Sequence, residues 1–282
     1  MNLEEENIIL NKDYVIPNLM GRIGNCMFTT AAAYAYALEH NKQLVISRLM
    51  LQNCTEGYDH SQELFRKFDF IDTHRGWEDD GAWNPVENPP DDKYIVISGF
   101  YQDVKHFEKY SEPLKSMFSP PNEFVNEVRE KIPEIFEKRI TAVHVRRGDY
   151  IHFPKVHPTV TPEYVSRALS EVSTKTDQVL IMSDDVTWCK NNIENALDAM
   201  YIEEWKTHEQ IWIMSLCHNF VLSNSTFGWW GAYLSRQSDK TVVAPSTWFG
   251  PDGPAIVGPY DRDWIILPTY FHEDGLIYPV KE

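Results

Sequence analysis

The run His144-Val145-Arg146-Arg147-Gly148-Asp149-Tyr150 gathers more reactive groups than any other part of the chain. Two adjacent guanidiniums are permanently charged, planar donor forks that match the oxygens of phosphate. An imidazole and a carboxylate beside them add groups that can hold or accept a proton. His152 and His157 follow closely, so Asp149, His152 and His157 are the candidate bases of the segment. A plain strand-end ion pair between Arg147 and Asp149 is the alternative, since partly exposed pairs are common and weak.

The residues before this run must place it. Ile140-Thr141-Ala142-Val143 is short, apolar and β-branched, bounded by charge on one side and glycine on the other, and reads as the start of a buried strand. Alternation puts Ala142, His144 and Arg146 on one face and Val143, Val145 and Arg147 on the other. Downstream, apolar strand-like runs at Val179–Met182, Met200–Ile202, Phe220–Leu222 and Thr241–Ala244 alternate with helical segments, the pattern of a parallel α/β sheet. Thr161-Pro162-Glu163 opens one of those helices with an N-cap and a proline at its first position. Ligands of such sheets sit beyond the carboxyl ends of the strands, so three strand ends should converge. They are the arginine loop, Ser183-Asp184-Asp185, and Ser223-Asn224-Ser225-Thr226 at a helix start. The last could meet phosphate with hydroxyls and N–H groups, or serve as an ordinary N-cap. The acidic pair could cap its own helix or hold a metal.

The first half is similar in style. Tyr14–Ile16 and Gln43–Ile46 read as strands around Gly21-Arg22-Ile23-Gly24-Asn25, a glycine-rich turn ahead of an alanine-rich helix from about Met27 to His40. Tyr94–Phe100 reads as a buried strand followed by a helix over Gln102–Tyr110, with another helix around Glu123–Lys131. Residues 53–92, with Trp77, Trp83 and Asp79-Asp80, read as a long excursion, and such loops often carry function. A boundary near Pro120–Arg139 divides the chain into domains of residues 1–125 and 126–282.

A formal net charge of −16 argues against nucleic acid or an anionic membrane as the main partner. The arginine pair is therefore local basic chemistry on an acidic chain. Cys26, Cys54, Cys189 and Cys217 are scattered without a CxxC pair, as buried reduced thiols would be. The acidic N-terminus lacks a signal-peptide pattern and no run has the length of a membrane span, so the expected location is the cytoplasm.

His144 to Tyr150 resembles the HxRRGDY motif of the inverting α-1,2-fucosyltransferases. Gly21 to Phe28 is similar to that family's G-x-x-G-N-Q-M-F opening, with Cys26 in the place of glutamine. The blocks Ser183–Lys190 and Ser223–Ala232 resemble later motifs, in the family's order. The resemblance implies a GT-B architecture, two Rossmann-like α/β domains facing across a cleft, with the N-terminal one on the acceptor side. It implies GDP-fucose as donor, held mainly by the C-terminal domain, a glycan acceptor, and no cofactor or metal. By match, Arg146 binds the donor pyrophosphate, supported by Arg147, with His144 and Asp149 completing the loop. Ser225 and Thr226 meet phosphate, Asn224, Ser183, Asp184 and Asp185 belong to the same donor site, and Asn25 with Gly24 reaches in from the first domain. Related enzymes read guanine with an aspartate where this chain has Gln210, preceded by Glu209.

Overall fold

The computed structural model describes residues 14–54, 60–71, 94–193 and 198–281. Trp77, Trp83 and Asp79-Asp80 lie outside the described residues. The chain divides into two compact units, Met1–Ser119 and Pro120–Glu282. Among the described residues no helix is long and apolar enough to cross a membrane.

The first unit contains β1 (Tyr14–Asn18), α1 (Ile23–Glu39), β2 (Gln43–Ser47), α2 (Arg48–Cys54), β3 (Asp69–Ile71), β4 (Tyr94–Ser98) and α3 (Ser111–Phe118). Its sheet has the order β3-β2-β1-β4, parallel throughout. Val15, Ile16 and Ile46 are buried in the sheet, as are Met27, Phe28 and Ala31 of α1. Two expectations need correction. Helix α1 begins at Ile23, not near Met27, so Gly24 and Asn25 belong to its first turn. Gly21 alone makes the reversal, at φ +74°, a region open to glycine at no steric cost. Residues 102–110 form two 3₁₀ turns, Val104–His106 and Glu108–Tyr110, rather than one helix. Asp103 caps the first turn by accepting from the Lys105 N–H at 3.0 Å, and Phe107 at φ −148° interrupts the run.

The second unit contains α4 (Asn122–Lys131), α5 (Glu134–Glu137), β5 (Ile140–Val145), β6 (Thr159–Val160), α6 (Pro162–Val172), β7 (Gln178–Ser183), α7 (Val186–Asn192), β8 (Met200–Ile202), α8 (Thr207–Ser215), β9 (Asn219–Leu222), α9 (Thr226–Leu234), β10 (Val242–Pro245), β11 (Ile265–Leu267), β12 (Thr269–Phe271) and β13 (Leu276–Pro279). Six strands form a parallel sheet in the order β11-β10-β9-β5-β7-β8. The expected pattern stopped at Thr241–Ala244, but β11 extends the sheet, and β12, β13 and β6 make a small second one. These strands are too short to show a period, and Ile265 on the edge strand β11 is exposed.

Every residue of β5 is buried. Val143, Val145 and Ile181 pack with Tyr164, Val165 and Ala168 of α6 on one face. Helix α6 starts as its sequence requires, with Thr161 accepting from the Tyr164 N–H at 3.2 Å and Pro162 in the first turn. The Tyr164 hydroxyl donates to the Leu222 carbonyl at 2.7 Å, tying α6 to the end of β9. From β5 the chain runs outward through β7 and β8, then returns to build β9, β10 and β11 on the other side. The switch point of the sheet therefore lies at the carboxyl ends of β5 and β9, where ligands of open α/β sheets bind.

Candidate active site

Strand register brings the three predicted loops level. Val145 pairs with Ser183, and His144 pairs with Leu222, so the residues that follow leave the sheet side by side. The Arg146 N–H donates to the Ser223 hydroxyl at 3.1 Å. Its Nη1 meets Asp184 Oδ2 at 2.8 Å, and its Nη2 meets Asp149 Oδ1 at 2.5 Å. The Arg147 N–H donates to Asp184 Oδ1 at 2.9 Å, its Nε meets Asp185 Oδ2 at 3.2 Å, and its guanidinium lies 3.9 Å from the centroid of the Trp188 ring. Asp185 also caps α7, accepting from the Trp188 N–H at 3.0 Å.

The alternative of a plain ion pair between Arg147 and Asp149 is not what forms. The 3₁₀ turn Asp149–His152 swings the Asp149 carboxylate back onto Arg146, and the partners of Arg147 come from the turn after β7 and from α7. Gly148 makes the cluster possible, because a Cβ there would lie 2.2 Å from Asp184 Oδ2. Each arginine is consequently held in one orientation by carboxylates, with side-chain exposures of 16% and 15% that leave an edge of each guanidinium open.

Beneath this loop His144 is only 5% exposed. Its ring stacks on Phe227 at 5.1 Å, and Nδ1 lies 3.1 Å from the Ser223 hydroxyl that receives the Arg146 N–H. Gly228 clears the space, since a Cβ there would sit 2.8 Å from that Nδ1. Burial, reinforced by the Arg146 charge, pushes the His144 pKa down to about 3. The ring is therefore neutral at working pH, and its contacts make it a support for Ser223 and Arg146.

Tyr150 joins several of these parts. Its hydroxyl donates to the Asn224 carbonyl at 3.2 Å, the Arg146 guanidinium lies 5.5 Å from its ring centre, and the ring stacks on His157 at 4.6 Å with an 18° tilt. Phe249 approaches His157 at 5.6 Å. Partial burial lowers the pKa of His157, with the Asp149 charge opposing and the Arg146 charge assisting. His152 ends the 3₁₀ turn and is exposed.

Ser225 occupies the N-cap position of α9 without a side-chain capping bond, and the first N–H groups of that helix face the carboxyl edge of the sheet. Thr226 is the first residue of α9. Other residues expected at the donor site make contacts within the chain. Asn224 is 2% exposed, and its amide donates to the Pro158 and Trp248 carbonyls at 3.0 and 2.9 Å, so its side chain ties loops together. Ser183 accepts from the Asp185 N–H at 2.9 Å. Glu209 caps α8, accepting from the Lys206 N–H at 2.7 Å, while Gln210 donates to the Trp205 carbonyl at 2.8 Å. In the first unit Gly24 is buried in α1, and Asn25 Oδ1 accepts from Gln102 at 3.0 Å. Reading the sequence missed Trp188 and Tyr150 as partners of the arginines. The cap-to-aromatic spacing of Asp185 and Trp188 was the available signal.

Two parallel α/β units in succession, the second with its strand order reversing between β5 and β9, are the make-up of the GT-B fold. The fold bears this out. The chain is similar to the crystal structure of NodZ alpha-1,6-fucosyltransferase soaked with GDP-fucose, with a TM-score of 0.56 at 13% identity, covering 89% of this chain and 99% of that one. The sequence profile of glycosyl transferase family 11 matches residues 88–267, and the chain belongs to that family. An alpha-1,2-colitosyltransferase of Escherichia coli is 25% identical over 89% of this chain and 98% of its own length. Galactoside alpha-(1,2)-fucosyltransferase 2 of Oryctolagus cuniculus is 31% identical over 84% of this chain and 70% of its own. The protein is thus an enzyme, a glycosyltransferase of the fucosyltransferase family, as the motif resemblance implied.

Proposed function

We propose that the protein transfers L-fucose from GDP-β-L-fucose to a galactoside hydroxyl of a glycan, with inversion, forming an α-1,2 linkage. The observation that carries this reading is the arginine pair at the switch point, beside the N-terminus of α9. In the reaction the acceptor oxygen attacks the anomeric carbon as the bond to the diphosphate oxygen breaks. The electron pair of that bond goes to the leaving diphosphate, where negative charge grows. Fixed donors aimed at this charge stabilise the transition state more than the ground state. Arg146 and Arg147 supply those donors, with Ser225, Thr226 and the N–H groups of α9 completing the phosphate cradle.

The acceptor proton goes to His157. Its lowered pKa keeps the ring neutral and able to accept a proton at pH 7, and Tyr150 and Phe249 hold its orientation. Asp149 stabilises the imidazolium that forms. His152, exposed beyond the turn, is the weaker candidate. Gln210 fits guanine recognition better than Glu209, whose carboxylate is engaged at the helix cap, because an amide that donates to Trp205 keeps its oxygen for a guanine N–H. The first unit serves the acceptor side, and the second holds the donor.

A second reading has a specific basis. The relative matched over 98% of its own length is named as a colitosyltransferase, and colitose is fucose without its 3-hydroxyl. One experiment separates the two. Purified protein is incubated with GDP-fucose or GDP-colitose on a glycan array, and the product linkage is determined. Fucose in an α-1,2 linkage to galactose is expected, and preferred transfer of the dideoxy sugar would replace the first reading with the second.

A further inference from the structure

The guanidinium of Arg147 is held at its edge and at its face. Its Nε meets Asp185 Oδ2 at 3.2 Å, and its central carbon lies over the Trp188 ring, 3.9 Å from the centroid. A guanidinium is a plate with N–H donors around its rim. Asp185 takes the rim at Nε, and Trp188 covers a face. The rim that carries Nη1 and Nη2 has no hydrogen-bond partner among the described residues. Those parallel donors are the fork that matches two oxygens of a diphosphate.

Both contacts come from one short piece of chain and are tied to each other. Asp185 Oδ2 holds Arg147, while Asp185 Oδ1 accepts from the Trp188 N–H at 3.0 Å as the N-cap bond of α7. One helix turn thus sets the places of the carboxylate and the ring together. Trp188 is itself anchored, partly buried against the core cluster that includes Val145, Ile181 and Cys189. A separation of 3.9 Å is close packing, well inside the reach of about 6 Å over which a cation is drawn to an aromatic face. The Arg147 side chain is only 15% exposed, and such contacts are strongest where water is excluded.

We infer that Trp188 is a positioning residue that, with Asp185, fixes the plane of the Arg147 guanidinium and so presents its Nη edge to the donor's diphosphate. The inference rests on the reading of Arg147 as a diphosphate ligand. It adds to that reading the group that prepares this arginine before the ligand arrives. Without the aromatic face Arg147 keeps its charge, but its long side chain must be ordered at the moment of binding. Ordering one such side chain weakens binding by about twofold to tenfold.

The test is calorimetric titration of the full chain with GDP and, separately, with inorganic pyrophosphate. The proteins are wild type, W188L, W188F, R147A and the W188L/R147A double variant, each with an unfolding curve. W188M takes the place of W188L if the branched side chain prevents folding. W188L should weaken both ligands about twofold to tenfold. W188F should recover most of that loss, because it keeps an aromatic face. In the R147A background W188L should cost nothing further, a coupling that a ring serving only to pack the core would not show. Equal losses with and without Arg147, no loss in W188L, or W188F no better than W188L overturns the inference and leaves the donor assignment standing. A loss for GDP without one for pyrophosphate does the same, and marks the ring as a contact of the base instead. Absence of GDP binding by wild type, or unchanged affinity in R147A, overturns the reading of Arg147 as a diphosphate ligand, and the inference with it.

Discussion

Replacing Arg146 by lysine keeps the charge but removes the fork. The guanidinium now spans Asp184 at 2.8 Å and Asp149 at 2.5 Å through separate nitrogens, and an ammonium cannot reproduce that bridge. Part of the effect falls on stability. With alanine, two partly buried carboxylates lose their shared partner, a loss of about 1–3 kcal/mol by comparison with other unsatisfied polar groups. With lysine the loss should be nearer 1 kcal/mol, because the charge survives. The larger effect falls on rate. Removing one preorganised donor to a developing anion costs about 2.7–4 kcal/mol in the barrier, or roughly a hundredfold to a thousandfold in kcat. Lysine should recover no more than about tenfold of that, since its charge remains without its geometry. Steady-state kinetics with saturating acceptor and varied GDP-fucose, alongside urea unfolding, separate the two effects. R146K and R146A that unfold near the wild-type midpoint yet keep kcat within about twofold would refute the assignment of Arg146 to the leaving diphosphate.

Four further outcomes follow from the same geometry. G228A places a methyl 2.8 Å from His144 Nδ1, and overpacking of about 1–3 kcal/mol should exceed the gain in helix propensity of about 1 kcal/mol, lowering the urea midpoint and, through Ser223 and Arg146, kcat. The folded-state pKa of His144 lies at about 3, below its unfolded value, so the unfolded chain binds the extra proton and stability falls as pH drops from about 6.5 toward 3. The descent to pH 5 alone should cost about 2 kcal/mol, and an H144Q variant with an equally steep slope would contradict it. H157Q should lose roughly a hundredfold or more in kcat and with it the acid limb of the pH profile, which in wild type falls at a pH below the ordinary histidine range. Activity should survive dialysis against a chelator, because the charge on the leaving group is met by arginine; a loss restored by added divalent cation would require another mechanism.

Legibility of the fold tracked the length and periodicity of each element. Strand β5, helix α6 with its Thr161-Pro162 start, and helix α9 carry strong local patterns and were readable. The three-residue strands β3, β11 and β12 are too short for a period, and form because an adjacent strand supplies hydrogen bonds. Helix α1 started before the expected residue because Gly24 looks like a turn residue, although Gly21 alone makes the turn. Of the cysteines expected to be buried and reduced, Cys26, Cys189 and Cys217 are free and buried.

What the sequence determined by itself was the clustering of charged and titratable residues in the arginine loop, the parallel α/β class and, through four ordered motifs, the family. These depend on residue type and short-range spacing, which a linear chain displays directly. Which carboxylate each arginine meets was decided only by the tertiary structure. Asp184 and Asp185, just past the end of a neighbouring strand, reach the loop through the Val145–Ser183 register, and Asp149 turns back to Arg146 through a 3₁₀ turn. The switch point likewise exists only once β9 has inserted beside β5 rather than beyond β8. Ion pairs and strand order are contacts between distant parts of the chain, and no local period encodes them. The tertiary structure therefore turned a basic loop into a cluster in which each arginine is paired with carboxylates.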